Sequence, residues 1–324
     1  MEAKKSKKIV VLATGGTIAG LASSVSRPQQ YQAGLVPVAS LLSAVPKDFI
    51  DRHHLTMTAE QIAQIDSKDM QETVWLALAK RLWHHLNQAD VDGVVITHGS
   101  DTLEETAYFL QAVFQPKKPV VLTCAMRPAN APDADGPANL RDALLVAANA
   151  DLHGVLVVCG GSVHAGHRVQ KIQSHDLKPF VSLDGPLARL VAGKFQILRP
   201  VPSAEYPWPM PTAPEVLQIQ DWPRVELVLN HAGAQGENVR DMLQSSRPPK
   251  GLVVAGTGNG TVHQGLEKAL KEAQTQGVRV LRTTRCALGQ VQALPDDVFA
   301  SVSDMTPVQA RVGLQLALIK EALG

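Results

Sequence analysis

Short apolar runs rich in β-branched residues recur along this chain, each followed by a polar turn and then a longer stretch with helical spacing. Strands that are apolar on both faces must be covered on both, and strands joined through helices run parallel. The pattern predicts an α/β fold with a larger N-terminal domain, a doubly wound and mainly parallel sheet, and a smaller C-terminal α/β domain. Strands are expected at 8–13, 93–97, 120–125 and 154–159, with helices at 70–86, 103–113 and 137–150. Between Leu198 and Pro223 seven prolines (Pro200, Pro202, Pro207, Pro209, Pro211, Pro214, Pro223) forbid a long helix or a central strand. The expected division is a domain over 1–197, a proline-rich linker over 198–223 and a second domain over 224–324. Beyond the linker, strands are expected at 225–229, 251–255 and 278–282, and helices at 262–276 and 307–323.

Composition excludes several functions. With 45% apolar residues and a formal charge of +1, the chain is neither disordered nor basic enough to suggest a nucleic-acid partner. Nowhere do some 18 apolar residues run together, so no membrane span is expected. The basic start, MEAKKSKK, leads into an apolar run too short for a signal core and closed by a glycine turn, which predicts a first strand. A cytoplasmic location follows, or a periplasmic one if a signal was removed. Cys124, Cys159 and Cys286 form no CxxC pair; an odd count implies no disulfide framework, and two of them sit in apolar runs as small hydrophobes.

Two strand ends carry chemistry. In ATGGTIAG (Ala13 to Gly20) a strand runs into paired glycines and a threonine. Gly15 and Gly16 can turn backbone N–H groups toward developing negative charge, while Thr17 presents a hydroxyl. The alternative is a tight turn of a nucleotide-binding fold, but GGTIAG is not GxGxxG and no GxxxxGK[ST] follows. In VVITHGSDTLEET (Val94 to Thr106) another strand ends at Ser100 and Asp101, placing a hydroxyl and a carboxylate at the same sheet edge. Ser100 can polarise a carbonyl or activate water, and Asp101 can accept from an ammonium. Helix capping is the competing reading, because SDTLEE resembles a capping box.

Together with AMRP (Ala125 to Pro128) and ADGPANL (Ala134 to Leu140), in this order and spacing, these motifs resemble the bacterial L-asparaginase/glutaminase family. The resemblance runs strongly from Lys8 to about Gly193 and more weakly through VVAGTGNGT (Val253 to Thr261) and RTTR (Arg282 to Arg285). It implies hydrolysis of L-asparagine to L-aspartate and ammonia by way of an acylated threonine. Thr17 matches the nucleophile, and Tyr31, in RPQQYQAG, the tyrosine of a lid that helps to activate it. Ser67 matches the residue that binds the substrate carboxylate, and Asp101 the one that binds its ammonium. Ser100 and Lys171 match a second hydroxyl and lysine, although Lys171 in HRVQK reads by itself as a solvated surface lysine. The resemblance also implies that no metal or organic cofactor takes part, and that the chain is a homodimer or homotetramer with sites near the subunit interface. His164 and His167, the nearest approach to a ligand pair, lack an HExxH context and read as surface or supporting residues.

Three positions depart from the family pattern. Ser100 stands where most relatives have threonine, and it lacks the β-methyl that limits rotamers. Lys68 stands where a glutamine or glutamate accepts from the substrate ammonium, and lysine has no acceptor. Thr261 takes the place of an asparagine or serine that reaches a neighbouring subunit's site. Lys68 motivates the leading alternative, a glutaminase or another small-amide hydrolase. A catalytically weak amino-acid sensor is a second, opposed by the retention of two hydroxyls with a lysine.

Overall fold

In the computed structural model, which describes residues 6–24, 30–191 and 193–323, the chain divides into two compact units, Met1–Ala204 and Glu205–Gly324. Residues 1–5 of the basic start and 27–29 of RPQQYQAG lie outside the described residues.

The first unit runs β1 (Lys7–Gly15), β2 (Leu21–Ala22), β3 (Tyr31–Gln32), α1 (Val38–Ser43), α2 (Lys47–Arg52), β4 (Leu55–Ile65), α3 (Glu72–Leu86), β5 (Gly93–Thr97) and α4 (Leu103–Phe114). It continues through β6 (Pro119–Thr123), α5 (Gly136–Ala147), β7 (Gly154–Cys159), β8 (Ser162–Ala165), β9 (Val169–Lys171), β10 (Phe180–Ser182), β11 (Ala188–Val191) and β12 (Lys194–Ile197). Eight strands form one sheet in the order β12-β11-β8-β7-β6-β5-β1-β4. From β7 to β4 all neighbours are parallel, while β8, β11 and β12 extend the sheet antiparallel, so the expected mainly parallel sheet is present.

Burial explains these elements. Ile9, Val11, Ala13, Val95 and Val121 pack with Leu140, Leu144 and Ala147 of α5 on one face. Their alternates Val10, Leu12, Val94 and Ile96 are equally buried, as a strand covered on both sides requires. Trp75 of α3 stacks on Phe109 of α4 with ring centroids 4.9 Å apart. The antiparallel extension and the long edge strand β4, LTMTAEQIAQI, were not expected from the sequence; β4 mixes exposed and half-buried positions and carries no continuous apolar run.

The second unit contains α6 (Ala213–Val216), β13 (Val225–Leu229), α7 (Glu237–Leu243), β14 (Gly251–Gly256), α8 (Gln264–Thr275), β15 (Arg279–Thr284), β16 (Ala300–Ser301) and α9 (Pro307–Ala322). Its sheet, β13-β14-β15-β16, is parallel throughout. The proline-rich stretch also holds packed structure. Thr212 opens α6 with a capping box, and Val216 and Trp222 are buried.

No described helix is long and apolar enough to cross a membrane. Cys124 and Cys159 are buried free thiols with Sγ atoms 3.7 Å apart, and Cys286 is exposed.

Candidate active site

Glycine crowding joins the strand ends. Gly16 has φ +80°, and a Cβ there would lie 2.3 Å from Gly99 main chain. A Cβ on Gly99 would lie 2.4 Å from Ser67 Oγ. Only residues without side chains let the turns after β1 and β5 approach this closely over Ser67. The Gly16 N–H donates to Ile65 O at 2.8 Å, so it is not free to face developing charge, contrary to the expectation for that glycine.

Thr17, buried at the start of a 3-10 turn, bonds through Oγ1 to the Tyr31 hydroxyl at 2.7 Å. Tyr31 lies on β3, paired with Ala22 of β2, and stays about 39% exposed. Ser100 is buried, and its Oγ accepts from Lys171 Nζ at 2.8 Å. The same ammonium donates to Asp101 Oδ1 at 2.7 Å. With a side chain only 17% exposed, Lys171 is not the solvated surface lysine its local sequence suggests.

Ser67 Oγ accepts the Asp101 N–H at 3.2 Å, and Ser67 O accepts the Thr102 hydroxyl at 2.8 Å. Thr102, the N-cap of α4, makes no side-chain cap bond, and its hydroxyl instead ties the β5 and β4 ends. His98 supports the same turn, with Nδ1 2.7 Å from Gly99 O and Nε2 3.0 Å from Thr106 Oγ1. Burial holds its imidazole down to about 4.

A cavity of about 680 Å³ brings Thr17, Tyr31, Ser100, Asp101 and Lys171 together. Met126, Arg127, Asp133 and His175 also line it, and none of them was singled out individually from the sequence. AMRP and ADGP meet here because Asp135 accepts the Met126 and Arg127 N–H groups at 3.0–3.1 Å, while Arg127 pairs with Asp133 at 2.6 Å. Their proximity in sequence was the available signal.

Ser67 and Lys68 are not among the cavity's lining residues. Lys68 is about 62% exposed and pairs with Asp69 at 2.8 Å and Asp66 at 3.3 Å, which together hold its ammonium above the usual lysine range. Thr261 belongs to the second unit, where its hydroxyl lies 2.9 Å from that of Thr257. His164 and His167 are buried rather than at the surface, and burial lowers both to about 4. Among the described residues no group of three or more His, Cys, Asp or Glu stands in an arrangement that could hold a metal ion.

A cavity of about 730 Å³ in the second unit lacks this chemistry. Its Arg224 and Arg247 are paired with Glu226 and Asp221, and among the described residues no hydroxyl lining it is bonded to an ammonium.

Comparison with known proteins adds an independent result. The family model "Asparaginase, N-terminal" matches residues 8–202, and "Glutaminase/Asparaginase C-terminal domain" matches residues 224–322. The chain is 38% identical to L-asparaginase 2 of Escherichia coli (strain K12), over 96% of this chain and 88% of that protein. It is 35% identical to a glutaminase-asparaginase of Pseudomonas fluorescens biotype A, over 98% of this chain and 87% of that one. The crystal structure of a probable cytoplasmic L-asparaginase from Campylobacter jejuni superposes with a TM-score of 0.88 at 36% identity, covering 97% of this chain and 96% of that one.

Proposed function

Because the chain belongs to the asparaginase/glutaminase family, we propose that it hydrolyses L-asparagine to L-aspartate and ammonia with Thr17 as nucleophile. The observation that carries this reading is the pair of separately armed hydroxyls in one cavity, Thr17 on Tyr31 and Ser100 on Lys171.

In the first step Thr17 Oγ1 attacks the amide carbon and passes its proton to the Tyr31 hydroxyl, which hands its own proton on to the leaving nitrogen. The oxyanion is met by main-chain donors at the strand ends other than the Gly16 N–H. Collapse expels ammonia, which carries away the proton delivered to the leaving nitrogen, and leaves an acyl-threonine ester.

Ser100 and Lys171 serve the second step, in which water cleaves the ester. An ammonium donating to both Ser100 and Asp101 cannot accept a proton. In this reading the substrate α-ammonium takes over Asp101, Lys171 gives a proton to the departing ammonia, and the resulting amine draws a proton from the attacking water through Ser100. Ser67 keeps a hydroxyl hydrogen for the substrate carboxylate, since its oxygen is the acceptor toward Asp101. Lys68 stays in the proposal as a substrate-binding residue, its ammonium paired in this structure with Asp66 and Asp69. Thr261 stays in the proposal as a substrate contact supplied by the second unit of a neighbouring copy. None of these steps calls on a metal or an organic cofactor.

The test is ammonia release from L-asparagine, L-glutamine and D-asparagine, with a chelator present. Turnover of L-asparagine that falls at least ~10⁴-fold in Thr17→Ala is expected. A trapped acyl group on Ser100, or an undiminished Thr17→Ala, would sink the assignment. A cytoplasmic homodimer or homotetramer is proposed with it. Recovery in the periplasmic fraction, or a monomer mass by light scattering, would count against that part.

A further inference from the structure

Lys171 sits on an unusually slight support. β9 is three residues long, and among the described residues its one strand partner is the equally short β10, with Lys171 opposite Phe180. The N–H of the next residue, Ile172, donates to Pro179 O at 2.8 Å on the β10 side. Successive N–H groups of a strand point to opposite edges, so the Lys171 N–H points away from β10. There it meets a side chain rather than a strand: Glu104 Oε2 accepts it at 2.5 Å.

Glu104 lies in the first turn of α4, which begins three residues after Ser100, and a carboxylate is favoured at that helix end. One arm therefore ties the main chain of the lysine to the element that presents its hydroxyl partner. Glu104 itself is half-buried and lines no part of the cavity. Desolvation pushes its carboxyl up to about 7, against the pull of the Lys171 N–H and ammonium and with a small push from Glu105. An enclosed acid held against that cost is better explained by a positioning task than by surface solvation.

We infer that Glu104 is a positioning residue of the reaction: its bond to the Lys171 main chain sets the distance from Lys171 Nζ to Ser100 Oγ. The inference rests on the role proposed above for Lys171. It predicts a defect in turnover more than in binding, because Glu104 is not among the residues that line the cavity.

The experiment is steady-state kinetics on L-asparagine for the full chain as wild type, Glu104→Gln, Glu104→Ala, Lys171→Met and Glu104→Ala/Lys171→Met, each checked for folding by circular dichroism. Displacing a catalytic group by about 1 Å costs on the order of 10²-fold, so Glu104→Ala is expected to lose roughly 10- to 100-fold in kcat with KM changed less than about 2-fold. Glu104→Gln keeps an oxygen acceptor for the N–H and is expected to retain most of the activity. The double variant is expected to be no slower than Lys171→Met, since Glu104 acts through Lys171.

Wild-type kcat in folded Glu104→Ala would overturn the inference. So would Glu104→Gln as impaired as Glu104→Ala, or a further drop in the double variant. If Glu104→Ala fails to fold, Glu104→Asp, one methylene too short to reach, reads the same point, and wild-type kcat there would overturn it. Full activity in Lys171→Met would remove the premise instead, and that failure is told apart because it needs no Glu104 variant.

Discussion

Both units end parallel strands in hydroxyl-rich turns, yet the hydroxyls have different partners in the two. In the second unit the hydroxyls bond to their own surroundings. Thr257 and Thr261 are joined through Oγ1 at 2.9 Å, Thr284 donates to Gly258 O at 2.7 Å, and Thr283 donates to Val254 O at 3.2 Å. Buried Asn230 locks that turn, donating to Thr257 Oγ1 and Thr261 O at 3.2 Å and accepting from the His263 N–H at 2.9 Å. In the first unit Thr17 and Ser100 bond instead to Tyr31 and Lys171, side chains that face an open volume. A polar strand end becomes chemical when its partners are themselves ionisable and face space a substrate can enter. A polar strand end whose partners are local main chain is a brace.

The sharpest way to break this contrast is to disarm the first unit's second hydroxyl. General acid–base groups contribute about 10²- to 10⁴-fold, so Ser100→Ala and Lys171→Met should each lower kcat for L-asparagine by that order. Groups that act as a unit are not additive, so the double variant should be little worse than the poorer single one. Stopped-flow measurement should show the first ammonia released at near wild-type rate and the ester accumulating. Equal slowing of both phases would mean that Ser100 and Lys171 serve the attack by Thr17 rather than the water step.

A smaller effect is expected at the brace. Asn230→Ala removes three hydrogen bonds to half-buried or exposed residues of the turn, each with a net worth of about 0.5–1.5 kcal/mol. The second unit's melting midpoint should fall by several degrees while kcat of the native protein stays unchanged. A collapse of kcat at constant melting temperature would mean that this turn is chemical after all, and the contrast between the units would fail.

What the sequence disclosed follows the same division between local and assembled features. The strands β1, β5 and β7 were legible because a buried parallel strand writes itself as an apolar run. Thr17 and Ser100 were legible because a glycine turn straight after such a run marks a strand end. β4 was not, since an edge strand half in contact with solvent needs no apolar run. Lys171 could be assigned only through family resemblance, because its contact with Ser100 spans 71 residues and exists only once β9 packs near α4. The burial of His164 and His167 is likewise a product of packing, and no local pattern announces an imidazole held neutral.

The smallest expected effect compares one carboxylate from each unit. Glu60 of β4 is held down to about 2, first by its bond to Arg81 and then by His85. Glu215 of α6 is held down to about 2, first by Lys320 and then by the N–H and hydroxyl of Thr212. A carboxyl whose folded value lies below its unfolded value of 4.5 adds stability that is present above about 4.5 and lost as pH falls toward 2. Both side chains are about a third exposed, at 30% and 31%, so solvent screening keeps each contribution modest. Glu60→Gln should therefore lower the melting midpoint of the first unit at neutral pH, and Glu215→Gln that of the second. In each case the gap from wild type should close between pH 4.5 and 2. Calorimetry across that range separates the outcomes. If the two variants shift different transitions, each unit carries its own acid sensitivity. If both shift a single transition, the units melt together, and a brace in one supports the site in the other through shared stability.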